Sequence, residues 1–142
     1  MVKIQEAKMT DSQEIRKLEA KIWGEEVVNK YDAPMLVRFG YSYIAKDKGK
    51  IVGAIVAYPT KQKEVYVCDL VVDKNYRREK IGERLYKRLI LATRGRNIVS
   101  FIDPGNKASI NLHLRLGAKI VRKVKNPYAL REGIRLFVRL VN

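Results

Sequence analysis

Apolar and polar positions repeat along the chain with two different periods, which predict short strands and amphipathic helices. The clearest two-residue alternation is Ile134–Leu140, where Arg135 and Arg139 separate apolar residues. Three apolar runs predict more deeply buried strands, at 51–58, 65–72 and 98–102. Weaker strand patterns lie at 2–8, 41–45 and 119–124.

The first helical pattern follows the first strand and has both a start and a stop signal. Its apolar stripe recurs at three- to four-residue spacing, at Ile15, Leu18, Ile22 and Trp23. Thr10 or Asp11 can cap its start, and Glu14 follows Asp11 by three residues, as in a capping box. Gly24 is expected to end it.

Three further segments favour helices. Residues 80–94 carry an apolar stripe at Ile81, Leu85, Leu89 and Ala92. Residues 107–116 form a shorter candidate that stops at Gly117. Residues 25–39 are less regular and predict a helix broken near Pro34, with apolar positions at Val27, Val28, Tyr31, Met35, Leu36 and Phe39.

The order of these elements predicts an α/β (α+β) fold with a mixed sheet. The strands 41–45 and 51–58 flank a K-D-K-G-K hairpin sequence, in which Gly49 can take a positive φ. The strand 65–72 continues this meander, and strands and helices then alternate. A meander followed by alternation gives a mixed, mostly antiparallel sheet flanked by helices.

Size and charge narrow the functional classes. A chain of 142 residues is expected to fold as a single domain over 1–142, with an ordinary apolar fraction. The net charge of +15 favours anionic partners such as a polyphosphate cofactor, an acidic protein surface or nucleic acid. No apolar run is long enough to span a membrane, and no signal peptide is visible, so a cytoplasmic protein is expected. A single cysteine, Cys68, excludes an intramolecular disulfide, and with one histidine no metal site is expected.

One segment, 70–89, combines a strand, a basic turn and a helix. The strand residues Leu70, Val71 and Val72 run into a turn-forming cluster that starts at Asp73. Arg77 and the residues up to Gly82 then lead into the helix. Because the first amides of a helix lack intrahelical partners and lie at its positive end, this turn predicts a phosphate site.

The same turn resembles the signature of the GNAT superfamily of acetyl-CoA-dependent N-acetyltransferases. That signature reads Arg/Gln-x-x-Gly-x-Gly/Ala; Arg77 matches its first position and Gly82 its last, while Lys80 replaces the first glycine. If that position needs a positive φ, a lysine there costs on the order of 1 kcal/mol. Otherwise the amide is kept and Lys80 adds a cation.

The resemblance implies a fold of about seven strands and about four helices, in which the fourth and fifth strands splay apart to admit the cofactor. It also implies acetyl-CoA as acetyl donor, with backbone amides from Arg78 to Glu83 around the pyrophosphate. The residues expected to bind the cofactor are Leu70, Val71, Val72, Arg77, Arg78, Glu79, Lys80, Ile81, Gly82, Glu83 and Asn106.

A second stretch, from Asn106 to Ala118, resembles the superfamily pattern N-x-x-A-x-x-L-Y-x-K-x-G-F. His113 stands in place of the tyrosine, which in the family often protonates the leaving thiolate. His113 is therefore either a hydrogen-bond donor to the CoA sulfur or a helix histidine without a chemical role. Tyr128 is an alternative donor.

Two carboxylates near the turn are candidates for the base that deprotonates an ammonium acceptor. Asp69 is preferred over Glu64, and strand alternation puts them on opposite faces unless a bulge intervenes. Asp69 can equally serve as a charge partner of the basic turn. A backbone N–H of Leu70 or Val71, where the strand bulges, is expected to stabilise negative charge on the thioester oxygen. Cys68 is expected to be an inert strand thiol.

These observations lead to three functional hypotheses. The first is an N-acetyltransferase that moves an acetyl group from acetyl-CoA to a primary amine of a peptide, protein or small molecule by direct attack in a ternary complex. The second is a non-catalytic acyl-CoA-binding module on the same fold. The third is a basic nucleic-acid-binding domain, although no zinc-finger spacing or RNA-recognition aromatic signature is present. A homodimer is compatible with all three.

Overall fold

A computed structural model of the chain describes residues 1–25, 27–130 and 133–142. Within these ranges the strands are β1 (Lys3–Glu6), β2 (Tyr41–Asp47), β3 (Lys50–Pro59), β4 (Val65–Val72), β5 (Ile98–Ile102), β6 (Lys119–Lys125) and β7 (Ile134–Leu140). The α-helices are α1 (Ser12–Trp23), α2 (Asp32–Phe39), α3 (Ile81–Ala92) and α4 (Lys107–Arg115). Short 3-10 turns at Met9–Asp11 and Lys74–Glu79 precede α1 and α3.

The strands form one seven-stranded sheet in the order β1-β2-β3-β4-β5-β7-β6. Every pairing is antiparallel except β4 with β5, which is parallel. The predicted mixed, mostly antiparallel sheet with four α-helices is therefore confirmed. Among the described residues, no helix is long and apolar enough to cross a bilayer.

The two faces of the sheet carry separate apolar cores. On one face, α3 packs its stripe of Ile81, Leu85 and Leu89 against strand residues that include Val52 and Val65. Helices α1 and α2 cover part of the opposite face, against strand residues that include Ile44, Ala54, Val56 and Val71. Most predicted stripe positions of α1 and α3 thus lie in the cores, as amphipathic helices on a sheet require. Trp23 of α1 and Ala92 of α3, which were also predicted as stripe positions, are exposed.

Gly53 lets α3 approach the sheet closely. A Cβ atom at this position would lie 3.0 Å from Ile81 Cγ2 and 3.3 Å from Leu85 Cδ1. A larger residue there would push the first turns of α3 away from β3. Because the basic turn leads directly into α3, this contact also helps to set the position of the turn.

The start of α1 differs from the predicted capping box. Asp11 does not cap α1; its Oδ2 atom accepts from the backbone N–H of Lys8 at 2.8 Å, across the preceding 3-10 turn. Glu14 reaches away from its own helix and accepts from the backbone N–H of Ile51 at 2.7 Å. The Glu14 carboxylate therefore accepts from an amide of the sheet instead of from an amide at the start of its own helix. Gly24 ends the helix as predicted, with φ of 78°.

The helix predicted within 25–39 is shorter than its apolar pattern. α2 begins at Asp32, so Pro34 lies in the first turn, where its missing N–H has no intrahelical acceptor to lose. The predicted apolar positions Tyr31 and Phe39 are 74% and 70% exposed. That part of the prediction is wrong, because the stripe buried against the sheet is narrower than the apolar pattern.

Candidate active site

The sheet opens between its two parallel strands. β4 and β5 pair only at Val65 with Ile98 and at Tyr66 with Val99. Beyond Tyr66, β4 has a strand partner on its β3 side only, within the described residues. The predicted splay is thus present, and it leaves one edge of β4 open toward a slot between the strands.

A β-bulge interrupts β4 inside this opening. Val56 pairs with Asp69 and Ala57 with Val67, so Cys68 has no opposite residue on β3. The extra residue directs Cys68 and Asp69 to the same face, toward α1 and α2. The bulge was predicted at Leu70 or Val71; both instead pair in regular register with Ile55 and Ala54.

The basic turn lies at the end of β4 beside the opening. Its residues Arg77, Arg78, Glu79 and Lys80 are exposed. The first helical bond of α3 runs from the N–H of Arg84 to the carbonyl of Lys80, at 3.0 Å. The amides of Ile81, Gly82 and Glu83 therefore have no acceptor within the helix. Amides without intrahelical partners at a helix start are the groups that an anion can bind, and anion binding by this turn stays a prediction.

Lys80 has the left-handed backbone of a glycine. Its φ and ψ are 55° and 31°, and it caps the N-terminus of α3. The position therefore needs a positive φ, which costs a lysine on the order of 1 kcal/mol. The replacement keeps the local chain path that a glycine would give and adds an exposed ammonium group.

Three hydrogen bonds hold the turn in place. Asp73, 2% exposed, accepts from the N–H of Asn75 at 3.0 Å and from Lys21 Nζ at 3.1 Å. The Asn75 amide is the main cause that lowers the pKa of Asp73. The hydroxyl of Tyr76 donates to Asp47 Oδ2 at 2.7 Å. The turn is thereby tied to α1 and to the β2–β3 hairpin before any ligand binds.

Gly82 has no packing reason to be a glycine. A Cβ atom there would meet only Leu112 Cδ2 at 3.6 Å and Val72 Cγ2 at 3.8 Å, which are ordinary contacts. Its φ lies outside the left-handed region. Neither packing within the protein nor the backbone conformation therefore requires a glycine at this position.

Asn106 caps α4 after β5. Its Oδ1 accepts from the N–H of Ser109 at 3.1 Å. Because β4 and β5 are parallel, the turns that follow them lie at the same edge of the sheet. Glu83 in the first turn of α3 also lies 3.8 Å from Arg115 of α4, joining the two helices.

His113 is buried behind the opening, with both ring nitrogens engaged. Nδ1 lies 2.7 Å from the carbonyl oxygen of Ser109, and Nε2 lies 3.3 Å from Ser100 Oγ on β5. Its ring packs edge-on against Tyr86 with centroids 5.0 Å apart. Burial lowers the pKa of His113, with an opposing contribution from the Ser109 carbonyl. The role of His113 as a hydrogen-bond donor to the CoA sulfur stays a prediction. In this structure its N–H donates to the Ser109 carbonyl within α4.

Asp69 lies at the bulge beside Trp23 and Glu19 of α1. The sequence prediction named Asp69 as a site residue but not Glu19. Asp69 is 7% exposed, and its Oδ1 accepts from the indole N–H of Trp23 at 3.1 Å. The side chain of Glu19 on α1 is 2% exposed, and its pKa is raised by burial and by Asp69. Glu19 had a visible signal: it follows Ile15 by four residues and so interrupts the apolar stripe of α1 with a carboxyl group.

The other two candidate reactive side chains are Glu64, which is bound to an arginine, and Cys68, which stays protonated. Glu64 precedes β4 and accepts from Arg139 Nε at 2.9 Å. It lies five residues from Asp69, which is roughly 15 Å along a strand. Burial, followed by the nearby Asp69 and Glu19, raises the pKa of the Cys68 thiol to about 12. Cys68 therefore stays protonated near neutral pH, in agreement with the inert thiol that was predicted.

The match to a known family decides the identity of this fold. A sequence profile of the acetyltransferase (GNAT) family matches residues 7–118, most of the 142-residue chain. The chain belongs to the GNAT acetyltransferase family. A search of curated protein sequences found no significant match.

Solved structures share the GNAT fold over nearly the whole chain. The ribosomal-protein-S18-alanine N-acetyltransferase from Escherichia coli superposes with a TM-score of 0.83 at 21% identity, covering 99% of this chain and 93% of that one. Diaminobutyrate acetyltransferase from Paenibacillus lautus, in complex with L-2,4-diaminobutyric acid and coenzyme A, gives 0.80 at 20%, covering 98% and 94%. Arabidopsis thaliana Naa50, in complex with the bisubstrate analogue CoA-Ac-MVNAL, gives 0.80 at 18%, covering 99% and 99%. At these identities the similarity concerns the fold.

An aromatic surface extends across this GNAT sheet on the face to which the bulge directs Cys68 and Asp69. Its centre is Phe101 on β5, with ring centroids 6.2 Å from Tyr66, 5.9 Å from Tyr128 and 5.2 Å from Phe137. Tyr128, named earlier as an alternative donor, thus lies among aromatic rings. Phe101 and Tyr66 were not singled out from the sequence, because each strand alone shows only ordinary β-forming residues.

Proposed function

We propose that the protein is an N-acetyltransferase that moves an acetyl group from acetyl-CoA to a primary amine. One observation carries the proposal: the slot between β4 and β5 ends beside a helix start whose first three amides have no intrahelical acceptor. An open strand edge suits an extended amide-containing arm, and a basic helix start suits a pyrophosphate. The GNAT family membership supports the same reading.

The residues of the turn fit the co-substrate. The amides of Ile81, Gly82 and Glu83 would bind the pyrophosphate, and the open space above Gly82 would admit it. Arg77 and Arg78 would balance phosphate charge from the exposed side of the turn. Acetyl-CoA, when bound, supplies an acetyl thioester that a neutral amine can attack.

The residues around the bulge would serve the acceptor. A free backbone N–H at the open edge of β4 would polarise the thioester carbonyl. Asp69, directed toward α1 by the bulge, would take the proton that an ammonium acceptor must lose. The aromatic surface around Phe101 would contact the remainder of the acceptor.

A second candidate, a non-catalytic acyl-CoA-binding protein, is favoured by one observation. His113 replaces the family's tyrosine, and its N–H is bonded to Ser109 rather than directed to a ligand. A protein of this kind would bind acetyl-CoA and transfer nothing.

Two measurements separate these readings. Calorimetric titration with acetyl-CoA should show saturable binding, and its absence at millimolar concentration would reject both. Incubation with acetyl-CoA and a panel of amines and peptides, followed by mass spectrometry and thiol detection, should show acetylated product with stoichiometric free CoA. Binding without transfer to any member of a broad panel would favour the non-catalytic protein.

A further inference from the structure

Two carboxyl groups from distant parts of the chain meet under the bulge in β4. Glu19 is on α1 and Asp69 is on β4, and their side chains are 2% and 7% exposed. After burial, a hydrogen bond with the Asp69 side chain and the charge of Asp69 raise the pKa of Glu19. Two ionised carboxylates would both be acceptors, so a hydrogen bond between them requires at least one proton on the pair.

The unpaired oxygens show where that proton lies. Glu19 Oε2 and Asp69 Oδ2 are buried without any conventional donor, whereas Asp69 Oδ1 already accepts from Trp23. A proton shared between the two carboxyls satisfies both unpaired oxygens at once. Because burial raises the pKa of Glu19, we assign the proton to Glu19, while Asp69 Oδ1 keeps its hydrogen bond from Trp23.

The surroundings supply little other charge. Among the described residues, Arg16 is the cation that lowers the pKa of Glu19, and Cys68 lies beside both carboxyls as a neutral thiol. The cavity wall that α2 and β3 present to Glu19 is apolar, formed by Ala33, Leu36, Val37 and Val56. Burial first, and Asp69 second, raise the pKa of Glu19 to about 9.

We propose that Glu19 is a positioning residue of the acetyl-transfer site: as a neutral acid it donates to Asp69 and, with Trp23, holds the Asp69 carboxylate at the bulge to receive the acceptor's proton. This inference rests on the proposed function and extends it to a residue that does not contact the substrate. The pair carries one proton and one negative charge before the reaction.

The proton balance is simple. An ammonium acceptor gives one proton to Asp69, so that both carboxyls are briefly protonated and the amine is neutral. The amine nitrogen then bonds the acetyl carbon as the carbon–sulfur bond breaks, and the second amine proton balances the departing thiolate as free thiol. Asp69 returns its proton to solvent, and Glu19 keeps its own throughout.

Infrared spectroscopy of the protein without acetyl-CoA tests the pair directly. The wild type should show a protonated-carboxyl band at pH 7 that weakens toward pH 9, and Glu19→Gln should lack it. A band that is absent from the wild type, or unchanged in Glu19→Gln, overturns the proposal. Because no co-substrate is present, this result is independent of whether the protein transfers acetyl groups.

Kinetics test the positioning role. Glu19→Ala should lower kcat by about 10- to 100-fold, with acetyl-CoA affinity changed less than about two-fold. Glu19→Gln can still donate to Asp69 and should keep kcat within roughly three-fold at pH 7, and the ratio of its kcat to that of wild type should rise toward pH 9. A wild-type rate in Glu19→Ala, or an equal loss in both variants, overturns the proposal.

If Glu19→Ala does not fold, the pH dependence of the Gln variant decides. A wild type that binds acetyl-CoA but acetylates nothing instead refutes the proposed function.

Discussion

The ring of His113 is fixed to its own helix by a 2.7 Å hydrogen bond from Nδ1–H to the carbonyl oxygen of Ser109. A carbonyl can only accept, so the proton of the neutral ring is on Nδ1, and Nε2 is left to accept from the hydroxyl of Ser100. Nδ1 thus fixes the ring within α4, and Nε2 joins α4 to β5. In the position where the family has a tyrosine, this chain has a side chain committed to packing.

Replacing His113 should therefore affect stability more than rate. His113→Leu removes one buried and one partly buried hydrogen bond and is expected to lower the free energy of unfolding by about 1–3 kcal/mol. The rate should fall by less than about ten-fold. Chemical denaturation and steady-state kinetics on the same preparation compare the two effects. A loss of about 100-fold or more in kcat at unchanged stability would instead mean that His113 donates to the leaving group.

The same residue predicts a loss of stability on acidification. The pKa of His113 is lowered below 6.5 in the folded protein, so the unfolded chain binds more protons between the two values. This contribution is present above pH 6.5 and is lost as the pH falls through the folded pKa. Wild type should lose more stability than His113→Leu between pH 7 and pH 5, measured by thermal unfolding. Parallel curves for the two proteins would contradict it.

The elements that were predicted best are those whose signals are local. The bounds of β4 and β5 follow from apolar runs closed by turn residues, and both are observed as predicted. The positive φ of Gly49 also follows from the hairpin sequence. Glu14 was assigned wrongly, because its partner is an amide 37 residues away in β3. Local rules cannot weigh a tertiary donor against the amides of a helix start.

Lys80 allows backbone conformation and charge to be tested separately. Lys80→Gly relieves the left-handed backbone and removes the ammonium, whereas Lys80→Ala removes the ammonium alone. If the turn needs only its shape, Lys80→Gly should preserve or tighten acetyl-CoA binding, and Lys80→Ala should be within about three-fold of wild type. Calorimetry gives both constants. A loss of about ten-fold or more in both variants would show that the lysine itself binds phosphate.

Gly82 should show opposite effects on stability and binding. In Gly82→Ala, α3 gains up to about 1 kcal/mol in helix propensity, and the new methyl group meets only ordinary contacts within the protein. The same methyl group fills the space above the first amides of α3, so acetyl-CoA affinity should fall by about ten-fold. Thermal unfolding and calorimetry measure the two effects.

A charge control completes that experiment. Lys87 is exposed on the second half of α3, away from the basic turn, so Lys87→Ala should leave acetyl-CoA affinity unchanged at moderate salt. Affinity that survives in Gly82→Ala would mean that the helix start does not bind the pyrophosphate. An equal loss in Lys87→Ala would mean that net charge, rather than this turn, controls binding.

The candidate site was only partly visible in the sequence for a physical reason. Arg77, Lys80 and Gly82 are close in sequence, so their shared turn could be inferred from spacing. Glu19 and Asp69 are 50 residues apart, and their contact depends on the bulge at Cys68. Alternation without a bulge would place Asp69 on the other face. The single usable signal was a carboxyl group in the apolar stripe of α1.

The buried acid on α1 predicts how stability changes on the alkaline side. The pKa of Glu19 is about 9 in the folded protein, against 4.5 for an ordinary glutamate side chain. Between pH 4.5 and 9 the folded protein therefore binds more protons than the unfolded chain. The contribution of Glu19 to stability is fully present below pH 4.5 and is lost as the pH rises through 9, at up to about 1.4 kcal/mol per pH unit. Glutamine cannot lose a proton, so Glu19→Gln should become more stable relative to wild type as the pH rises from 5 to 8. Denaturant unfolding of both proteins across this range measures the difference, in which the remaining titrating groups largely cancel. A constant difference would show that Glu19 is ionised in the folded protein and shares no proton with Asp69.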